Sequence, residues 1–393
     1  YYILRNINIP LNEINIKEKL TNLIELSKIR KKRKSIGIFC PFVDQGLGIQ
    51  CREYYEFLRL NNFEVCIFSH KPYIAKQSDS QEWEYDNVYY SNNFRENVKL
   101  EEILEFVYKY NVKIILIPEI CFHFIFNIIK FFKMLNVKVI TIINIETLRF
   151  DELNSYSYID EILCNNISSY RILSNIFLNF KVELLEFNNL YFKKYKSLEI
   201  KTPKKIILST FGGLNSFVRK NIDKTYSVFK KLEELYNYNY QLNIYIQGGV
   251  NTTFKDTNKI KYKFGNFTYN NIINFIRDSD IIIHLGDHEG LGLGFFEALN
   301  NNKPIITLKT YPNIEYVEHE KNGFIIDCTF EKLSDNNVGI VNRAILDLDS
   351  YLNLISKILS NEYYDKLIKI INNDKWIENK YINNFNKILE SYE

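Results

Sequence analysis

The chain has 393 residues, 46% of them hydrophobic and 15% aromatic, enough to bury large cores in two or three domains. Fifty Lys and Arg stand against 47 acidic residues, and the resulting +3 carries no general electrostatic footprint for nucleic acid, so no nucleic-acid partner is expected. The six cysteines form no CxxC pair, which argues against a disulfide or zinc framework and fits buried thiols in a reducing compartment.

In chain order, the sequence opens at Tyr1 without methionine or a signal-like start, as expected of a piece of a longer protein. A cytoplasmic location is expected. The run KIRKKRK, from Lys28 to Lys34, reads as a solvated linker and is also where the protein could touch an anionic membrane surface. Then come a strand SIGIF, a loop carrying Gly46 and Gly48, an amphipathic helix from Ile49 to Leu60 and a strand FEVCIFS. The pattern repeats with helix LEEILEFVYKY, strand VKIILIPE, a helix from Phe122 to Leu135, strand VKVITII, strand IDEILCNN and a helix from Tyr170 to Leu178. No stretch reads as a transmembrane span, because Asn127, Lys130, Lys133 and Lys138 interrupt the most apolar region. Strands alternating with helices predict a parallel sheet covered on both faces.

Between Glu186 and Lys205 the periodicity breaks, predicting a first domain over 1–195 and a second over 204–374. The second series opens with strand KIILSTF and loop GGLNSFVRKN, followed by a helix from Ile222 to Tyr236 and strands LNIYIQGG and IKYKFG. Helix NNIINFIRDS, strand DIIIHL, helix FFEALNN and strand PIITL complete it. The tail is helical by period, and a helix at about 375–393 is expected to pack back on the first domain. The overall expectation is α/β: two doubly wound, Rossmann-like domains with a cleft between them, where open α/β sheets bind ligands.

One stretch concentrates chemistry at such a place. In HLGDHEGLGLGFFEALNNNKPIITL, glycines recur at Gly290, Gly292 and Gly294 although the whole chain has fourteen. Glycines let a backbone approach a ligand, and the N-terminus of the helix that follows favours an anion such as a phosphate. The stretch is neither a dinucleotide fingerprint nor a P-loop, since Glu297 stands where a third glycine would and no GK[ST] follows. Glu289 and Glu297 flank the glycines at an E-x7-E spacing. Carboxylates beside a phosphate make sense as acceptors for hydroxyl groups, Glu297 for a ribose and Glu289 for a sugar beyond the diphosphate. No metal is expected. His284 and His288, with Asp287 and Glu289, do not share a face on a strand-to-loop segment, and DSD at Asp278 to Asp280 reads as a turn.

EGLGLGFFEALNNNKPIIT resembles the E-x7-E signature of glycosyltransferase family 4, the retaining group with the GT-B fold, and YVEHEKNGFII resembles its continuation. FGNFTYNNIINFIRDSDIIIHL and RKNIDKTYSVFKKL are similar to the family's base-binding and phosphate-binding segments. The resemblance implies a nucleotide-diphosphate sugar as donor, a carbohydrate or other hydroxyl as acceptor, and no further cofactor. It assigns Glu297 to the ribose, Glu289 to the donor sugar, and Gly290, Leu291, Gly292 and Leu293 to the diphosphate and sugar. Lys220 and Arg219 would neutralise the leaving diphosphate, Phe267 after Gly265 would hold the base, and Gly46 and Gly48 would lie near the donor phosphate. The chain departs from the family where Gly213 stands in place of an Arg. It departs again where Pro118, Glu119, Asn144 and Glu146 stand at places where the family commonly has His. Two alternatives remain open at this level: a sugar-nucleotide epimerase of the same architecture, and a non-catalytic nucleotide-sugar-binding module.

Overall fold

The computed structural model describes residues 35–72, 83–120, 123–148, 150–185, 205–213, 218–248, 254–332 and 342–360. The basic run from Lys28 to Lys34, the proposed domain boundary and the helix at 375–393 lie outside the described residues.

Seven strands build the first sheet: β1 (Ser35–Cys40), β2 (Glu64–Lys71), β3 (Val88–Phe94), β4 (Val112–Pro118), β5 (Lys138–Ile142), β6 (Glu161–Cys164) and β7 (Val182–Leu184). They lie in the order β3-β2-β1-β4-β5-β6-β7, and every pair is parallel. The connecting helices are α1 (Gly46–Leu60), α2 (Leu100–Tyr110), α3 (His123–Met134) and α4 (Ile167–Ile176). Each ends or begins for a local reason. α2 stops at Asn111, which adopts the left-handed conformation, and α4 starts at Asn166, whose Oδ1 accepts from Ser169 N at 2.8 Å.

The second sheet comprises β8 (Ile206–Gly212), β9 (Tyr240–Gln247), β10 (Ile260–Gly265), β11 (Ile281–His284), β12 (Ile305–Leu308) and β13 (Gly323–Ile326). Their order is β10-β9-β8-β11-β12-β13, again all parallel. Its helices are α5 (Ile222–Leu235), α6 (Tyr269–Arg277), α7 (Leu293–Asn300), the short α8 (Asn313–Tyr316) and α9 (Leu348–Leu359). An antiparallel pair, β14 (Cys328–Lys332) and β15 (Asn342–Leu346), stands beside this sheet.

The strands at each sheet centre read as unbroken apolar runs because both faces are covered. One core cluster continues from Ile36, Ile38 and Leu116 of the first sheet to Ile282, Leu291, Phe295 and Ile305 of the second domain, so apolar packing runs across the domain boundary. Both sheets reverse strand order once, between β1 and β4 and between β8 and β11. Ligands of doubly wound sheets bind outside the carboxyl ends of strands at such points.

Among the described residues the expected elements are present, most with shifted ends, and three features differ. α1 starts at Gly46 rather than Ile49, which takes both glycines out of a loop and into the first helical turn. The edge strand β3 and the short β7 were not expected, because VYYSNNF alternates little and three residues carry no period. The β14–β15 pair was likewise unforeseen. Four of the five described cysteines are buried and none is in a disulfide. Among the described residues no helix is long and apolar enough to cross a membrane.

Candidate active site

The loops at the two switch points line one cleft of about 780 Å³. From the second domain come Gly212 at the end of β8, Gly213 just after it, Arg219 and Lys220 before α5, and the segment from Glu289 to Gly294 with Glu297. Gln247, Phe267 and Tyr269 border it on the β9–β10 side. From the first domain come Gly46 and Leu47 of α1, Glu119 after β4, and Asn144 and Glu146 after β5. His70 and Arg95 stand on the same side.

The three glycines have three different causes. Gly292 caps α7 in the left-handed conformation with φ 75°, and a Cβ there would meet Phe295 Cδ2 at 2.7 Å. Gly294 lets the buried His284 ring lie close, since a Cβ would fall 2.9 Å from His284 Cδ2. Gly290 receives the first domain: its Cβ would stand 2.2 and 2.3 Å from the two carboxylate oxygens of Glu146. The close approaches that glycine permits here are therefore largely to the protein itself. Together the glycines open the mouth of α7 onto the cleft.

The second-domain loops are stitched to each other. Asp287 N donates to Arg219 O at 2.9 Å, and Asn221 Nδ2 donates to Leu285 O at 2.8 Å. Arg343 on β15 fastens the loop from behind, Nε donating to Asp287 Oδ2 at 2.7 Å while Ala344 N donates to Asp287 O at 3.0 Å. Asp287 also meets His288 Nδ1 at 2.6 Å, and the His284 ring packs on Phe295 with centroids 4.3 Å apart. The two histidines thus serve different neighbours. Among the described residues no group of three or more His, Cys, Asp or Glu side chains is arranged to hold a metal ion.

The charges divide clearly. Glu289, 6% exposed, pairs through Oε2 with Arg219 Nη1 at 2.9 Å. Burial opposes its ionisation, but Arg219 and Lys220 overcome that and hold its carboxyl down at about 2. Glu297, 9% exposed, has Lys220 as its cation, and burial pushes it up to about 7. Burial also raises Glu146 to about 7, helped by the nearby Glu119 and Glu289. Burial together with Lys220 drives His284 down to about 3, leaving it a neutral imidazole at neutral pH. Burial lowers Lys220 too, while Glu289 and Glu297 support its charge.

Among the residues expected from the sequence, Glu289, Glu297, Lys220, Arg219, Gly213, Phe267, Gly46 and the stretch from Gly290 to Leu293 all meet at this cleft. Gly48 and Gly265 lie off its lining. Gly48 is needed where α1 passes under its own entry loop, since a Cβ would strike Val43 O at 2.1 Å, and Gly265 ends β10 beside the Phe267 ring. Several residues could not be foreseen. Asn166 Nδ2 reaches across the domains to Gly290 O at 2.7 Å, and Glu315 accepts from Ile167 N and Ser168 N at 2.9 and 2.8 Å. Nothing local in the sequence marks Asn166, Glu315 or Arg343. A backbone signal marks Glu119, which holds φ 64° while its N–H donates to Ile142 O at 2.9 Å. Such a conformation costs a non-glycine residue on the order of 1–2 kcal/mol.

Two doubly wound domains with facing switch points and a cleft between them define the GT-B fold of glycosyltransferases. Residues 193–344 match the family described as glycosyl transferases group 1, which supports a glycosyltransferase. In solved structures this chain is similar to sucrose-phosphate synthase from Thermosynechococcus elongatus, with 12% identity, TM-score 0.60, and 92% of this chain and 99% of that one covered. It is similar also to Anabaena HepE in complex with UDP and glucose, with 11% identity, TM-score 0.62, and 91% and 99% covered. A glycosyltransferase from Rickettsia africae shares 17% identity at TM-score 0.61, with 92% and 98% covered. No curated protein matches the chain in sequence.

Proposed function

We propose that the protein transfers a sugar from a nucleotide-diphosphate sugar to an acceptor hydroxyl, with retention at the transferred carbon. The observation that carries this is the wall formed by Lys220, Glu289, Glu297 and the N-terminus of α7, all facing one cleft. A diphosphate seated at that helix terminus meets free N–H groups and the Lys220 ammonium. In this reading Glu297 accepts from ribose hydroxyls and Glu289 from the donor sugar. The Phe267 segment, whose N–H donates to Gln247 Oε1 at 3.0 Å, borders the place for the base. As the diphosphate leaves, its growing charge is met by cations already in position, which need no reorganisation. Retention rests on the resemblance of the E-x7-E stretch, as does independence of a metal.

A thermal-shift screen of nucleotide sugars, followed by measurement of nucleoside diphosphate release, tests the reading, because a ligand that binds the native state raises its apparent stability. Binding accompanied by release when an alcohol acceptor is present is expected. Binding without turnover would instead make this a nucleotide-sugar-binding module.

A further inference from the structure

The backbone at Gly290, where the donor reading seats the diphosphate and sugar, is held in part by the other domain. α4 begins in the first domain at Asn166, which is 3% exposed and whose side-chain amide works in two directions. Its Oδ1 accepts from Ser169 N at 2.8 Å and from Ser168 Oγ at 2.9 Å, which caps the helix. Its Nδ2 donates to Gly290 O of the second domain at 2.7 Å, in a buried bond. Two more N–H groups of the same helix end, those of Ile167 and Ser168, donate to the two carboxylate oxygens of Glu315 at 2.9 and 2.8 Å. Glu315 also belongs to the second domain, and a carboxylate on the free N–H groups of a helix N-terminus is a charge-assisted contact.

The two second-domain partners are themselves joined. Glu315 lies on α8, and its neighbour Tyr316 packs on Phe295 and Phe296 of α7, with ring centroids 5.5 and 4.8 Å apart. α7 is the helix that the glycine-rich stretch enters at Gly292. One turn of the first domain therefore grips a single packed unit of the second at two places, the donor loop and α8. Gly290 lines the cleft and Asn166 does not, so Asn166 reaches the site only through the Gly290 carbonyl. A buried carbonyl deprived of its donor costs free energy, which ties the position of this backbone to the docking of α4.

We propose, resting on the glycosyltransferase reading, that Asn166 is a positioning residue for the donor: from the first domain it sets the Gly290 backbone, while Glu315 holds the Asn166 turn against the second domain. The donor site is complete only while the domains are docked at the start of α4. By linkage, the factor by which this docking tightens donor binding is the factor by which bound donor tightens the docking. The contacts of Asn166 and Glu315 share that one docking, so the loss of either weakens the other. A backbone displaced by as little as 1 Å also misplaces the sugar carbon, which lowers turnover as well as affinity.

The test uses the full chain as wild type, N166S, E315A and the double variant. Serine caps a helix as asparagine does but is too short to reach the Gly290 carbonyl, so N166S keeps the cap and removes the bond between domains. Two ligands are titrated by calorimetry: the nucleotide sugar that gives the largest thermal shift with wild type, and the nucleoside monophosphate of the same base, which lacks the second phosphate and the sugar. N166S should weaken the intact donor about tenfold and the monophosphate less than about threefold, and should lower kcat for donor hydrolysis as well. E315A should act in the same direction, and the double variant should lose less than the product of the two single losses. Retained monophosphate binding shows that each variant is folded. Donor affinity within about threefold of wild type in N166S, equal weakening of both ligands, an E315A variant that binds donor as wild type does, or single losses that multiply in the double variant would overturn the proposal. A wild-type protein that binds neither the monophosphate nor any nucleotide sugar fails at an earlier and distinguishable point, the donor reading itself, and removes this proposal with it.

Discussion

Arg219 Nη1 and Glu289 Oε2 lie 2.9 Å apart at the heart of the cleft, joining the turn before α5 to the loop after β11. Glu289 is held at about 2, below its ordinary 4.5, so its ionised form stabilises the folded state above pH 4.5 and that contribution fades as pH falls through 2. Arg219→Ala leaves a buried carboxylate uncompensated and should cost about 3 kcal/mol at pH 7. Urea unfolding at pH 7 and pH 3 measures it. A loss as large at low pH as at neutral pH would show that Arg219 acts by packing alone.

Glu297 has the opposite sign. Burial raises it from 4.5 to about 7, so the folded state favours its proton and stability is lost as pH rises through 7. Glu297→Gln should therefore stabilise the ligand-free protein by up to about 3 kcal/mol at pH 8, at about 1.4 kcal/mol per pH unit, and by nothing below pH 4.5. The same change should weaken nucleotide and nucleotide sugar alike, by about 10- to 100-fold. Thermal melts and calorimetry check both halves, and a variant that is less stable at pH 8 would contradict the assignment.

Glu289→Gln should spare the free nucleoside diphosphate and reduce turnover of the intact donor, because its proposed partner is the sugar. Calorimetry with both ligands separates it from Glu297→Gln. Equal weakening of the free diphosphate by both substitutions would undo the division of roles.

Glu289 and Glu297 support the charge of Lys220, which in the proposed reaction meets the charge growing on the leaving diphosphate. Lys220→Ala should lower kcat by about 100-fold or more while raising donor KM far less. Steady-state kinetics with the intact donor decides the matter; an effect confined to KM would place Lys220 in ground-state binding. On the proposed assignment Lys220, Arg219 and the α7 terminus supply the positive charge, so turnover should also survive EDTA, and activity lost to EDTA and restored by manganese would overturn that expectation.

Gly292→Ala should destabilise by about 1–2 kcal/mol from its left-handed backbone alone. Contact with Phe295 Cδ2 at 2.7 Å adds to that cost. Denaturant unfolding measures the loss, and a neutral result would mean that the turn into α7 can relax.

Alternating apolar strands and amphipathic helices made both sheets legible, because period and burial are local properties of a few neighbouring residues. For that reason α2, β10 and β11 are found where their patterns place them, whereas β3, with its polar VYYSNNF, carries too weak a pattern to be read. The E-x7-E spacing was also legible, since a loop and the helix it enters bring Glu289 and Glu297 to one wall through local geometry.

The sequence by itself determined the alternation of strand and helix, the two-domain α/β class and the glycine-rich entrance to α7, all of which depend on residues close along the chain. Only the tertiary structure decided that Gly290 accommodates Glu146 and accepts from Asn166, and that Arg343 anchors Asp287. Those contacts join segments 124 residues apart in the case of Asn166 and Gly290, and 56 apart for Asp287 and Arg343. No period or local propensity encodes such pairs. The Gly290 contacts exist because two sheets with facing switch points pack through a shared apolar core, the Asp287–Arg343 contact because β15 folds back on the loop after β11, and the charges around the cleft acquire their proton affinities from that burial.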